Sequence, residues 1–133
     1  MKVAIIDYGA GNTQSVKYAL KRLGCEGVLT SDKEVISKSD KVIFPGVGQA
    51  SSAMSKLNSK GLDVLIPNLK QPVLGICLGM QLMCNFSEEG DVDCLKIFDS
   101  NVKRFNNLLK VPQIGWNTIF DLKTRLLDSV DEN

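Results

Sequence analysis

The sharpest chemical pattern in the sequence is Gly75-Ile76-Cys77-Leu78-Gly79. It has the spacing of a nucleophile elbow, G-x-S-x-G, with a thiol in place of the hydroxyl. An apolar run, Val73-Leu74-Gly75-Ile76, leads in, and a helical stripe of Leu78, Leu82 and Phe86 leads out. A strand-to-helix turn that sharp needs small residues on each side of the nucleophile to avoid a steric clash. Cys77 is expected at the N-terminus of the helix, where the partial positive charge of the peptide dipoles favours thiolate over thiol. The Leu78 N–H is expected to point at the oxyanion formed when that thiolate attacks a carbonyl. Cysteine is also a common core residue. The flanking glycines and the strand–turn–helix context favour the nucleophile.

A second candidate is Pro45-Gly46-Val47-Gly48. Its glycines serve either a tight turn or a close approach of backbone to a ligand. Following a neighbouring strand, the loop could supply the second N–H of an oxyanion hole. It lacks the Lys-Ser/Thr ending of a phosphate-binding loop. Gln81 lies one helical turn beyond Cys77, and its amide can both donate and accept. Trp116, the only tryptophan, is more simply explained as core. Cys25, Cys84 and Cys94 carry no motif and read as structural, with Cys84 on the buried face of the helix that follows Cys77.

The elements that must hold these groups are legible from the apolar pattern. Val3-Ala4-Ile5-Ile6 reads as a buried parallel strand. The turn-rich loop 7–12 follows. Val16, Leu20 and Leu23 recur at helical spacing, with Asn12 or Thr13 as N-cap and Gly24 as the stop. A weaker strand covers 27–30, and Val42-Ile43-Phe44 is another. Residues 50–60 read as a helix capped by Ser51 or Ser52 and ended by Gly61. A further helical stripe, 62–69, is interrupted at Pro67. Residues 73–76 form the next buried strand, and 78–86 a helix. Residues 88–93 read as an acidic loop. Residues 95–105 and 111–120 read as extended segments joined by an Asn-rich turn. Alternation of strand and helix predicts an α/β fold with a parallel sheet flanked by helices. In such a sheet, functional groups lie beyond the carboxyl ends of the strands. Loops 7–12, 45–49 and 77–81 all fall there.

Composition narrows the classes. The 133 residues are 44% hydrophobic and 23% charged, ordinary for a folded domain. Sixteen Lys and Arg against fifteen Asp and Glu leave a net charge of +1, which speaks against a nucleic-acid binder. No apolar run reaches the roughly 18–20 residues that span a membrane. The apolar start stops at Asp7, too early for a signal peptide, so reduced thiols and a cytoplasmic location are expected. There is no histidine, which removes the usual Cys/His zinc patterns and any Cys-His pair within the chain. No metal or cofactor is expected.

Together the motifs resemble one family. Residues Ile5-Ile6-Asp7-Tyr8-Gly9-Ala10-Gly11-Asn12, Phe44-Pro45-Gly46-Val47-Gly48, Pro72 to Gln81, and Lys110-Val111-Pro112-Gln113-Ile114-Gly115-Trp116-Asn117 look like the glutaminase subunit of imidazole glycerol phosphate synthase. This is a branch of the class I glutamine amidotransferases, and the resemblance runs from Lys2 to about Thr118. It implies a flavodoxin-like fold. It implies that Cys77 attacks the side-chain amide of L-glutamine, that ammonia leaves, and that water releases glutamate from a thioester. By the same resemblance, Leu78 and the Val47/Gly48 turn hold the oxyanion, and Gly46 and Gln81 bind substrate. Asn12, Gln113 and Trp116 would then face a (β/α)8-barrel cyclase that receives the ammonia in histidine biosynthesis.

The chain departs from the family in lacking the His-x-Glu pair that completes the triad. Without the general base, negligible glutaminase turnover is expected of the chain alone. Two explanations fit: one truncated domain whose missing part carries the pair, which is favoured, or a non-catalytic module that docks on the cyclase and regulates it. Truncation would leave sheet edges open, so poor stability or self-association is expected. Gln113, where histidine is common in the family, hints at a paralogue feeding another acceptor such as a sugar. An unrelated cysteine enzyme on a similar fold would leave the Asp-Tyr-Gly-x-Gly-Asn and Gly-Trp-Asn segments unexplained.

Overall fold

The computed structural model describes residues 1–106, 108 and 110–131. Four strands form a parallel sheet: β1 (Val3–Ile6), β2 (Gly27–Thr30), β3 (Lys41–Phe44) and β4 (Val73–Gly75), in the order β2-β1-β3-β4. β1 lies between two neighbours and is covered on both faces, so all four of its side chains are buried. Val3 and Ile5 pack under Leu20 of α1 (Thr13–Arg22). Ala4 and Ile6 face the larger core, with Val42 and Phe44 of β3. That core is closed by α2 (Lys33–Ser37), α3 (Ala50–Lys60) and α4 (Leu62–Leu65), through Ile36, Leu57 and Leu62. Each such side chain, fully buried, stabilises the fold by about 1.5–3 kcal/mol.

Local chemistry sets the element ends. Asn12 caps α1, its Oδ1 accepting from the Ser15 N–H at 3.2 Å. Leu23 lies past the helix end and is exposed, so the predicted stripe loses its last member. The apolar pattern does not announce α2, which is only five residues long. It is held by Asp32, whose Oδ1 accepts from Glu34 N at 2.8 Å and Val35 N at 3.1 Å. The serines predicted to cap α3 do not. The helix starts at Ala50, and Glu89, brought in from elsewhere in the chain, accepts from the Ala50 N–H at 3.2 Å. Gly61 ends α3 at φ 61° and opens α4, and a single 3₁₀ turn (Ile66–Asn68) takes up Pro67.

The strand predicted as buried over 73–76 is an edge strand. Val73 packs on the larger core, but Leu74 is 42% exposed because the opposite face of β4 has no cover among the described residues. The helix predicted over 78–86 stops early, as α5 (Leu78–Leu82). The next carbonyls are taken by a returning segment. Leu95 N donates to Leu82 O, Ile97 N and Phe98 N to Met83 O, and Lys96 N to Cys84 O, each near 2.9 Å. Cys84 therefore follows the helix rather than lying on its buried face, and is only half-buried. The acidic loop is the turn of a hairpin between β5 (Phe86–Ser87) and β6 (Val92–Asp93). β7 (Asn101–Val102) adds to β5 in parallel. Of the two predicted extended segments, only Asn101–Val102 pairs as a strand among the described residues. The Asn-rich turn includes Asn107, which lies outside them. Residues 111–120 run over the surface, and Trp116 is fully exposed, against the simple expectation of a core residue.

Candidate active site

The three loops at the carboxyl ends of β1, β3 and β4 meet. Gly79 sits so close to the end of β3 that a β-carbon there would overlap the Phe44 carbonyl oxygen and lie 2.8 Å from its carbon. A β-carbon on Gly46 would lie 2.5 Å from Gly79 N and 2.8 Å from the Tyr8 hydroxyl. One on Gly75 would lie 2.7 Å from the Met80 Cα. The elbow glycines are thus required by backbone-to-backbone approach, as the motif predicts. Gly11 completes the contact, its missing β-carbon facing the Pro45 ring at 3.0 Å.

Cys77 stands at the corner, between β4 and α5, with φ 52° and ψ −119°. Its thiol is free and exposed. The Ile76 N–H donates to Phe44 O at 3.0 Å, the Gly79 N–H to Ile76 O at 3.0 Å and the Gln81 N–H to Cys77 O at 3.2 Å. Among the described residues, no hydrogen bond engages the N–H groups of Val47, Gly48 or Leu78. Gly48 adopts φ 94° with open space around it. Tyr8 is buried behind this turn. Its hydroxyl donates to Pro45 O at 3.0 Å, and its ring meets Phe44 edge-on with centroids 5.6 Å apart. Burial pushes the Tyr8 hydroxyl up to about 12, and a thiolate at Cys77 acts in the same direction.

A cleft of about 850 Å³ opens on the thiol. Cys77, Leu78, Gly48 and Gln81 line it, together with Pro112 and Gln113. Glu88, Glu89, Lys103 and Arg104 also line it, and sequence reasoning missed all four. Their only signal was two adjacent acids in a segment read as loop and two adjacent bases in one read as extended. Glu88 accepts from the Arg104 N–H at 2.8 Å, which ties the two segments together. The other cysteines stand apart. Cys25 is half-buried beside β1, and Cys94 is buried, its thiol pushed up first by burial and then by Cys84 and Asp93. Asn12 and Trp116 do not line the cleft. Among the described residues, no group of three or more His, Cys, Asp or Glu side chains could hold a metal ion. No helix there is long and apolar enough to cross a membrane.

The sequence profile of the family "Glutamine amidotransferase class-I" matches residues 4–129. The chain belongs to the class I glutamine amidotransferases. Within that family it is 64% identical over 129 residues to "Imidazole glycerol phosphate synthase subunit HisH" of Bacteroides fragilis, strain YCH46, covering 95% of this chain and 66% of that one. It is 59% identical over 135 residues to the subunit of the same description from Bacteroides thetaiotaomicron, covering 99% and 69%. The chain therefore spans about two thirds of the length of these relatives. A solved structure described as "Crystal structure of glutamine amidotransferase" superposes with a TM-score of 0.63 at 20% identity, over 74% of this chain and 54% of the other, which shows the fold alone. Membership of this amidotransferase family agrees with the parallel sheet, the elbow and the meeting of the three loops.

Proposed function

We propose that this chain carries the nucleophile and oxyanion-binding half of a glutaminase that supplies ammonia for histidine biosynthesis. The observation that carries the proposal is Cys77 at a glycine-flanked strand-to-helix corner. It lines a cleft with Gly48 and Leu78, whose N–H groups, like that of Val47, make no hydrogen bond among the described residues.

In this mechanism the Cys77 Sγ attacks the side-chain amide carbon of glutamine. The C–S bond forms as the carbonyl π pair moves onto oxygen, and the Leu78 N–H and the Val47/Gly48 turn hold that oxyanion. The C–N bond then breaks, a proton goes to nitrogen, and ammonia leaves a γ-glutamyl thioester. Water cleaves the thioester to glutamate and restores the thiol. Gly46 and Gln81 bind the substrate. The cleft also presents both signs of charge, Glu88 and Glu89 with Lys103 and Arg104, which suits the ammonium and carboxylate of an α-amino acid.

The 133 residues contain no histidine, so the base that takes the thiol proton must come from outside them. The one-domain description fits this: the relatives are about half as long again as the matched segment. The partner is a cyclase subunit, met in the cytoplasm, with Asn12, Gln113 and Trp116 on the contact surface. Trp116 is fully exposed and so available to such a contact. The missing base also favours a second reading, a docking module that binds the cyclase without catalysis.

The test is labelling by a glutamine-shaped electrophile. Cys77 should be labelled, excess glutamine should protect it, and Cys77→Ser should take no label there. Partner binding without such labelling would replace the enzyme with the docking module.

A further inference from the structure

We infer that Tyr8 is a positioning residue for the oxyanion-binding turn: its buried hydroxyl holds the Pro45 carbonyl and so fixes the peptide from which Gly46, Val47 and Gly48 lead past Cys77. The inference rests on the glutaminase reading of that turn.

Among the described residues, the Tyr8–Pro45 bond is the only hydrogen bond made by residues 45–48. The rest of the turn is held by shape alone. Gly46 is wedged between the Tyr8 hydroxyl and the elbow, whereas a β-carbon on Gly48, two residues on, would meet nothing. A peptide is planar, so anchoring the Pro45 oxygen also fixes the direction of the Gly46 N–H on the opposite side of that plane. Releasing it frees the Pro45–Gly46 peptide to rotate, and the N–H groups downstream are free to turn with it.

Tyr8 can act as an anchor because it is itself held on every side. Its ring is 1% exposed and packs edge-on against Phe44. The loop that carries it is tied to α3 by two lysines: Lys56 Nζ donates to Gly9 O at 2.9 Å, and Lys60 Nζ to Asp7 O at 3.0 Å. The raised ionisation of the hydroxyl keeps it protonated, and so able to donate, while Cys77 is a thiolate. The link also joins loop 7–12 directly to the oxyanion turn.

The test compares two electrophiles on the full chain at one pH. The chloromethyl ketone analogue of glutamine reacts by thiolate attack with an oxyanion forming on its carbonyl. The S–CH2 bond then replaces C–Cl, chloride leaves and the carbonyl is restored. Iodoacetamide is displaced by the same thiolate without that oxyanion. Tyr8→Phe should slow the ketone at Cys77 about tenfold, near 1.4 kcal/mol, and leave the iodoacetamide rate within about twofold. Val42→Ala, which loosens the same core but keeps the hydroxyl bond, should leave the ratio of the two rates as in the parent. Equal ketone rates in Tyr8→Phe and parent would overturn the inference. So would a parallel fall in both rates, which would mean that Tyr8 acts on the thiol or on the fold. A parent chain that takes iodoacetamide at Cys77 but refuses the ketone would instead strike the glutaminase reading, and the inference with it.

Discussion

Gly79→Ala is the most exacting test of the site's geometry, because two opposing effects can be weighed. Gly79 lies in α5, and replacing a helical glycine by alanine normally stabilises by up to about 1 kcal/mol. Here the added carbon would overlap the Phe44 carbonyl oxygen, with the Phe44 carbon at 2.8 Å and the Pro45 carbon at 3.1 Å. All three are backbone atoms, so no rotamer change relieves the contact. α5 must instead move away from β3 by well over an ångström to restore ordinary separation. Overpacking of this kind costs about 1–3 kcal/mol, occasionally more. The clash should win, leaving a net loss of about 1–2 kcal/mol. At this chain length that lowers Tm by roughly 4–7 °C. The same movement draws the Leu78 N–H away from the Val47/Gly48 turn, so capture of a glutamine-shaped ketone should fall by more than iodoacetamide alkylation does. Thermal denaturation followed by circular dichroism, with both alkylation rates, reads the two effects separately. A Gly79→Ala chain as stable as the parent, with unchanged capture, would refute the close approach of elbow and β3.

Three further outcomes are expected. Tyr8 ionises near 12 in the folded chain against about 10 when unfolded, so its contribution to stability is complete below pH 10 and is lost as pH rises through 12. Denaturant melts from pH 10 to 12 should show stability falling by at most about 1.4 kcal/mol per pH unit from Tyr8, and Tyr8→Phe should remove that share and leave only the part owed to the raised Cys94 thiol. Iodoacetamide at pH 8, followed by peptide mass mapping, should modify the exposed Cys77 well before Cys94, which is buried and whose thiol is raised. Asn12→Ala removes the α1 cap and should cost about 1 kcal/mol, read as a Tm lower by roughly 4 °C, with Cys77 reactivity unchanged.

What the sequence could show followed the range of each signal. β1, α1, β3 and the elbow were legible because each is specified by neighbours in sequence: an apolar run, a 3.6-residue stripe, a glycine pair. α2 was not, since five residues are too few to display a period, and only Asp32 marked it. The end of α5 was invisible for a different reason. Its carbonyls are claimed by residues 95–98, and that competition is tertiary. The exposure of Leu74 was equally beyond reach, since an apolar run does not say how many layers cover the strand. At the site, Cys77, Leu78, Gly48, Gln81 and Gln113 do line one cleft. The charged residues around them became neighbours only when β5 and β7 paired. Tyr8 lay within a noticed motif, but nothing local foretold that its hydroxyl would reach Pro45.

The backbone of Cys77 has an evolutionary consequence. At φ 52° and ψ −119° the residue occupies a conformation that glycine adopts freely and a side chain resists, at a cost of about 1–3 kcal/mol. Under selection for stability alone, lineages would drift toward glycine at this corner, because that single replacement relieves the strain without disturbing a packed neighbour. A thiol persists there only while its chemistry is worth more to the organism than the stability it forgoes. In a random-mutagenesis library of this chain sorted for thermal resistance alone, position 77 should be among the first to give way, and Gly79, a corner residue for steric reasons, among the last.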